Sequence, residues 1–164
     1  MTFKTPERAV GATLDVYETE VLRLMGLEQY AEAYVLLERQ TNPSLANLYN
    51  MALCLYFSEA YTACLLLVER AVSKLPAYAL RHQKWSHYAQ NINTHQMAKD
   101  TYLCPVSELY TLHFSALLKD SLLRLQVDCY VYLRDWTHLA QTLEQIQAKG
   151  YANVERALKQ LPTL

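Results

Sequence analysis

The sequence predicts an all-α protein, built as an array of antiparallel helix hairpins with about eight or nine helices in total. Helix-breaking residues are scarce, because the 164 residues include only three glycines and five prolines. Gly26 and Gly150 stand where predicted helices end, which is a preferred place for glycine. Apolar residues recur every three to four positions along most of the chain, which is the spacing of an amphipathic helix.

Two stretches of the chain repeat each other at a fixed offset. The sequence YAEAYVLLERQTNP, from residue 30, is followed 31 positions later by YTACLLLVERAVSKLP, from residue 61. The identical pairs are Tyr30 and Tyr61, Leu36 and Leu67, Glu38 and Glu69, and Arg39 and Arg70. A small residue, Ala33 or Cys64, follows each tyrosine by three positions, and a proline closes each stretch. Because the linkers are very short, we expect neighbouring helices to be antiparallel.

Composition sets limits on the class of protein and its partners. A chain of 164 residues fits one domain, 1–164, with a sizeable core, and 52% hydrophobic with 19% charged residues is typical of a globular protein. The net charge of −1 gives no general attraction to nucleic acid or anionic lipid. The longest apolar run, 51–57, is too short to span a membrane, and the N-terminus lacks the apolar core of a secretory signal. We therefore expect a cytoplasmic protein with no nucleic-acid or membrane partner.

No arrangement of residues indicates an enzyme, a cofactor or a metal site. The four cysteines are widely spaced without a C-x-x-C pair, and three of them fall in apolar helical stretches where a reduced thiol behaves as a small hydrophobe. His82 and His87 lie about 140° apart around a helix, so they do not share a metal-binding face. An enzyme using His82, His87 or His95 is the least favoured class of function.

The first half of the chain predicts two helix pairs, over about 6–41 and 43–75. Thr5-Pro6-Glu7 is a helix start, with a capping hydroxyl, proline at the first helical position and an acid in the first turn. Asn42-Pro43 gives a similar start to the second pair, and Pro76 follows its end. The four predicted helices run over about 6–26, 28–40, 43–58 and 59–74.

The next part of the chain has a less regular pattern. A third pair is expected over 77–119, interrupted by a loop at 90–104 that is polar and aperiodic. We interpret this loop as a tolerated insertion, and the sequence leaves open whether it is ordered. Helical spacing returns over 106–133, which forms either one helix of about seven turns or two helices divided at Asp120-Ser121.

The C-terminal part predicts a last pair over 120–149 and a capping helix over 151–161. Asp135 is the expected N-cap of the second helix of that pair, and Gly150 is its C-terminal stop. The capping helix, NVERALKQL, places its three large apolar residues on one side.

Residues 48–76 resemble a tetratricopeptide repeat, a helix-turn-helix unit of about 34 residues. The matching positions are Leu48, Met51, Ala52 and Leu55 in the first helix, and Cys64, Val68, Ala71 and Pro76 in the second. Ala52 and Cys64 occupy the slots that must be small because the two helices cross closely there. Residues 17–43 and 123–149 match the pattern more weakly. The resemblance implies a right-handed superhelix of helix pairs.

The resemblance also implies a function and a set of site residues. Proteins of this kind bind other proteins in a concave groove lined by the first helix of each pair. The corresponding positions here are Glu18, Leu22, Met25, Tyr49, Leu53, Tyr56 and Phe57. Since these slots are largely apolar and aromatic, we expect a non-enzymatic adaptor or chaperone-like protein that binds an apolar or amphipathic peptide segment. The lysine and asparagine that clamp a C-terminal carboxylate are missing from the slots.

Alternative interpretations remain open at this point. Any all-helical hairpin array buries leucine, tyrosine and alanine at similar spacings. The stretch from Tyr49 to Phe57 would equally suit packing in the core. A structural or assembly subunit, in which the same aromatic surface joins two copies into a homodimer, is the competing class of function.

Overall fold

A computed structural model describes residues 15–80 and 86–162 of the chain. This part contains nine α-helices and no β-strand, which confirms the all-α class and the expected number of helices. They are α1 (Val16–Gly26), α2 (Tyr30–Glu38), α3 (Leu45–Phe57), α4 (Tyr61–Ser73), α5 (His87–Met97), α6 (Glu108–His113), α7 (Ser115–Leu133), α8 (Trp136–Ile146) and α9 (Ala152–Leu158). Among these helices, none combines the length and the apolar character needed to cross a membrane. The expected helix start at Thr5-Pro6-Glu7 and the residue His82 lie outside the described ranges.

Helices α2, α3 and α4 begin and end within two residues of their predicted bounds. The cap of α3 is Ser44 rather than Asn42, because the Ser44 side-chain oxygen accepts a hydrogen bond from the Asn47 N–H at 3.1 Å. The Asn42 side chain instead accepts a hydrogen bond from Lys74 Nζ at 3.1 Å. The predicted cap is therefore wrong by two residues, since Pro43 stands before the helix and not in its first turn.

Three helix-to-helix turns share one backbone geometry. Glu28, Glu59 and Arg134 adopt the left-handed conformation, with φ of 58°, 61° and 55°. The next residue in each turn donates its N–H to the carbonyl five positions earlier: Gln29 to Leu24, Ala60 to Leu55 and Asp135 to Tyr130, at 2.9, 2.9 and 3.0 Å. These turns fold α1 on α2, α3 on α4 and α7 on α8 as hairpins. Glu28 and Glu59 are themselves 31 positions apart, so the sequence echo extends into the turns.

The helices pack in a row, with one change of chain order. Neighbours in the row are α1 and α2, α2 and α3, α3 and α4, then α4 and α7, and finally α7 with both α8 and α9. Ala33, Ala52, Cys64 and Ala71 are fully buried, and their small side chains let the helices approach closely. The main core fills the space among α1 to α4 and α7, and a smaller cluster lies among α7, α8 and α9.

The stretch between α4 and α7 differs most from the prediction. The loop expected at 90–104 is instead α5 followed by a 3-10 turn over Thr101–Leu103. The side-chain oxygen of Ser86 caps α5 by accepting a hydrogen bond from the Ala89 N–H at 3.3 Å. Helix α5 buries none of its residues, so its sequence has no apolar period that would reveal a helix. Helix α4 packs directly on α7, so α5 and α6, which lie within the third pair expected over 77–119, do not separate these two helices.

Residues 106–133 contain two helices, and the break falls at Phe114 instead of Asp120-Ser121. Phe114 has φ −126° and ψ 34°, outside the helical region. Asp120 is buried within α7, where its carboxylate accepts hydrogen bonds from Lys149 Nζ at 2.6 and 2.7 Å and from the Tyr151 hydroxyl at 2.7 Å. These tertiary partners explain a polar residue inside the helix.

The remaining elements follow the prediction closely. The Asp135 carboxylate caps α8 by accepting a hydrogen bond from the His138 N–H at 3.2 Å. Gly150 adopts φ 70° after a 3-10 turn over Gln147–Lys149, which confirms its position as the stop. The C-terminal helix lies within the predicted bounds of 151–161.

Candidate functional site

A stretch of the chain that follows α5 lies against α3 and α7. It consists of residues 101–107 and is termed the internal segment. It begins with the 3-10 turn over Thr101–Leu103 and continues without regular secondary structure, with extended backbone angles at Cys104 and Ser107. Tyr102 and Val106 are buried, whereas Cys104 is exposed. The segment is thus held at two apolar anchors four positions apart.

Asn50 of α3 holds the internal segment by both polar atoms of its side chain. The Val106 N–H donates to Asn50 Oδ1 at 2.9 Å, and Asn50 Nδ2 donates to the Val106 carbonyl oxygen at 2.9 Å. This pair of bonds is the one that a neighbouring strand would make to an extended chain. Asn50 is 2% exposed and Val106 is 8% exposed, so water does not compete effectively for these bonds.

Two further side chains bind main-chain atoms of the same stretch. The Tyr49 hydroxyl of α3 donates to the Tyr102 carbonyl oxygen, and the Glu18 carboxylate of α1 accepts from the Glu108 N–H that follows the segment. Burial raises the pKa of Tyr49, so its hydroxyl stays protonated and remains a donor. Together with Asn50, these residues make four hydrogen bonds that all end on peptide groups.

The side chain of Tyr102 enters a polar cluster on α7. Its hydroxyl donates to Asp128 Oδ2, which lies 3.3 Å from the Tyr56 hydroxyl, while Asn153 Nδ2 donates to Asp128 Oδ1 at 2.9 Å. Burial raises the pKa of Asp128, and the three donors oppose that rise by stabilising the carboxylate. Asp128 therefore joins α3, the internal segment and α9 at one point.

Arg124 of α7 fixes the start of the internal segment. Its guanidinium carbon lies 4.0 Å from the ring centroid of Tyr102 and 4.6 Å from that of Tyr151. Arg124 Nη2 donates to the Lys99 carbonyl oxygen at 2.9 Å, and Nε donates to Asn153 Oδ1 at 2.8 Å. Burial lowers the pKa of Arg124. The contacts with the two rings and the acceptor oxygens compensate the buried cation.

An aromatic row lies beside this cluster and consists of Tyr30, Phe57, Tyr56, Tyr61 and Tyr132. The rings of Tyr30 and Phe57 stack at 4.4 Å, and those of Tyr61 and Tyr132 stack at 4.6 Å. Tyr56 stands between the two stacks, 5.4 Å from Phe57 and 5.8 Å from Tyr61. Phe57 is 39% exposed and Tyr132 is 58% exposed. The row thus combines flat apolar area with hydroxyl groups at an accessible surface.

On its other side, the internal segment borders an apolar pocket of about 710 Å³. The pocket lies among α5, the segment, α6 and α7, and Tyr49 also reaches it. Its apolar walls include Ala89, Ile92, Pro105, Val106, Tyr110, Phe114 and Leu117. This volume is within the range of pockets that hold a small molecule or a few side chains.

The residues expected to line a groove do not form one open surface. Met25, Tyr49 and Leu53 are buried, which corrects the expectation that they face an accessible groove. Helix α3 packs against α2, α4 and α6, so eight of its thirteen residues are buried. The others are more accessible: Glu18, Leu22 and Tyr56 are half-buried and Phe57 is exposed. Tyr49 binds the internal segment and Glu18 binds the residue that follows it, whereas Tyr56 and Phe57 belong to the aromatic row.

Sequence reasoning missed the residues that bind the segment most directly. Asn50 carried a signal, because an asparagine surrounded by apolar residues in mid-helix needs a hydrogen-bond partner. Tyr102 and Val106 fell in or beside the predicted loop, and Asp128 had no pattern around it. Their roles depend on contacts across the fold rather than on local sequence.

Within the two described ranges, no group of three or more histidine, cysteine or acidic side chains is placed to hold a metal ion. Cys64 Sγ and Cys129 Sγ lie 3.7 Å apart in the core, and the contact with Cys64 together with burial raises the pKa of Cys129. Comparisons with protein-family models, curated proteins and solved structures find no match to this chain.

Proposed function

We propose that this protein is a non-enzymatic protein-interaction module that binds an apolar or amphipathic peptide segment in an extended form. The proposal rests on the hydrogen bonds that hold the internal segment and the residue that follows it. Asn50, Tyr49 and Glu18 direct four hydrogen bonds at peptide groups, which every extended chain presents. A surface that binds the main chain of one segment in this way has the chemistry to bind another.

The apolar contacts of a bound peptide would come from two places. The aromatic row supplies exposed rings beside the segment, and the pocket of about 710 Å³ supplies an apolar cavity on its other side. Each leucine-sized or aromatic side chain buried there would contribute about 1.5–3 kcal/mol. The net charge of −1 favours neither nucleic acid nor a membrane surface as the partner.

We further propose that the fold is a tetratricopeptide-like array that acts in the cytoplasm as an adaptor or chaperone-like protein. The shared turn geometry at Glu28, Glu59 and Arg134 supports this, because repeated units fold with repeated turns. The complete burial of Ala52 and Cys64, where the pattern requires small residues, supports it as well.

Peptide display on the full chain tests the proposal. Peptides selected on the protein are synthesised and their affinity is measured by calorimetry. We expect Phe57→Ala with Tyr132→Ala to weaken binding at least about tenfold, which is the loss of one apolar contact or more. The control is Leu66→Ala with Leu112→Ala, which removes two large apolar side chains, each 60% exposed, outside the row. The absence of any binding peptide, or an equal loss in the control, would contradict the proposal.

The alternative function is a structural subunit that forms a homodimer through the aromatic row. The exposure of Phe57 and Tyr132 next to stacked rings favours this alternative, because such surfaces are typical of interfaces. Light scattering over a range of concentrations distinguishes the two. A dimeric wild type that becomes monomeric in the Phe57→Ala/Tyr132→Ala variant would support the subunit, whereas a monomer at all concentrations would exclude it.

A further inference from the structure

We propose that the internal segment is a built-in competitor, which occupies within the same chain the site of a partner's peptide. We infer also that the partner's peptide has the pattern of the segment, with an aromatic residue four positions before a compact apolar residue. This inference rests on the proposed function and specifies both the ligand class and its regulation.

The hydrogen bonds identify the site as one that binds an extended peptide. Asn50 satisfies both main-chain groups of Val106, and the Tyr49 hydroxyl binds the carbonyl of Tyr102. None of these bonds requires a particular side chain in the segment. A peptide from another protein can therefore replace the segment without loss of a single main-chain bond.

The side chains define the sequence that fits. The Tyr102 ring stacks on Arg124 and its hydroxyl reaches Asp128, so an aromatic residue with a donor suits this position. The Val106 side chain is buried against the core, which favours a β-branched or similarly compact residue. Cys104, between them, is exposed and has no such constraint. The expected pattern in a partner is therefore tyrosine, three variable residues and a compact apolar residue.

The surroundings of the segment allow it to leave. Helix α5, which precedes it, has no fully buried residue, and Met97 is the residue of this helix that packs against a core cluster, so displacement of the segment disturbs few apolar contacts of that helix. The pocket of about 710 Å³ borders Cys104, Pro105 and Val106, which gives an incoming peptide space beside the segment. The row formed by α1 to α4 and α7 keeps its own helix-to-helix contacts when the segment moves.

Competition within the chain has a measurable consequence. A site that is open for only a fraction of the time binds with an apparent affinity reduced by that fraction. Substitutions that weaken the segment but leave the site intact must therefore increase the affinity for an added peptide. A role confined to packing predicts the opposite, since such substitutions would only destabilise the protein.

The probe is a fluorescein-labelled peptide of residues Thr101–Glu108 carrying Cys104→Ser, and its binding to the full chain is measured by fluorescence anisotropy. We expect weak binding to the wild type and at least tenfold tighter binding to Tyr102→Ala and to Val106→Pro. The second variant removes the N–H that Asn50 accepts from and replaces the buried Val106 side chain with a proline ring. Tyr88→Ala, at an exposed position on α5, is the control and is expected to match the wild type. A peptide that also carries Val106→Pro should not bind.

A second measurement uses the wild-type protein alone, so it does not depend on whether the variants fold. Hydrogen exchange of wild-type protein is followed with and without saturating peptide. Displacement predicts faster exchange at the Val106 amide of the protein, whose N–H donates to Asn50, with α3 and α7 unchanged. Unchanged or slower exchange at this amide would overturn the inference.

Other outcomes separate this inference from the proposed function. Suppose that Tyr102→Ala and Val106→Pro bind the probe no more tightly than wild type, while display-selected peptides still bind the aromatic row. The inference then fails and the proposed function stands. If neither kind of peptide binds, both fail. If the variants form dimers by light scattering and do not take up the peptide, the occupant is a second copy of the chain, and the inference of a foreign peptide is overturned.

Discussion

The two hydrogen bonds between Asn50 and Val106 make a quantitative prediction for Asn50→Ala. The substitution leaves the N–H and the carbonyl of Val106 without the Asn50 partner. Val106 is only 8% exposed and is surrounded by core residues. Each unsatisfied buried main-chain group costs about 1–3 kcal/mol. Because slight exposure admits some water, we expect a loss of about 2–4 kcal/mol in the free energy of unfolding.

Urea denaturation followed by far-UV circular dichroism measures this loss. The matched control is Asn47→Ala, which removes a half-buried asparagine from the same helix and should change the free energy of unfolding by about 0.5 kcal/mol or less. In parallel, the Val106 amide should exchange faster in Asn50→Ala and not in the control. Equal losses in the two variants, with Val106 exchange unchanged, would refute the assignment of Asn50 as the residue that grips the internal segment.

Three further sets of substitutions test local features of the fold. Ser44→Ala removes the cap of α3 and should lower the free energy of unfolding in urea by about 1 kcal/mol. Asn42→Ala should lower it much less. A larger loss in Asn42→Ala than in Ser44→Ala would support the cap predicted from the sequence. Glu59→Val places a β-branched residue at φ 61° and should destabilise the protein by about 1–3 kcal/mol. Glu59→Gly should remain within about 1 kcal/mol of the wild-type stability. Equal melting temperatures of the two variants would contradict the left-handed turn. The raised pKa of Asp128 means that its contribution to stability is present below about pH 4 and is lost as pH rises through that raised pKa. The stability of wild type relative to Asp128→Asn should therefore fall from pH 4 to pH 7 in urea titrations, and a constant difference would show that Asp128 titrates normally.

Elements with local signals could be predicted from the sequence. Asp135 caps the start of α8, and Gly150 ends the 3-10 turn that follows α8, so both residues act at the positions where they were expected. The 31-residue echo likewise located α2 and α4 because burial of one face imposes the apolar period. The class of fold followed from these features together.

Elements that depend on distant contacts could not be predicted. Helix α5 buries nothing, so its polar sequence resembles a loop, although Ser86 caps it. The uninterrupted helix at Asp120 depends on Lys149 and Tyr151, which are far away in sequence, and no local pattern marks the break at Phe114. The candidate site was predicted in part: Glu18 and Tyr49 were singled out, but as groove-lining residues and not as partners of an internal segment.

The exposure of α5 has a consequence for the integrity of the chain. Since no residue of α5 is buried, a protease that cuts this helix breaks the covalent link between the first four helices and the last four without removing a core side chain. The two fragments would stay associated through the interface of α4 with α7 and through the bonds of Asn50 to Val106. Limited proteolysis should then give two bands on a denaturing gel and a single particle in solution, so that the protein behaves as a heterodimer encoded by one chain.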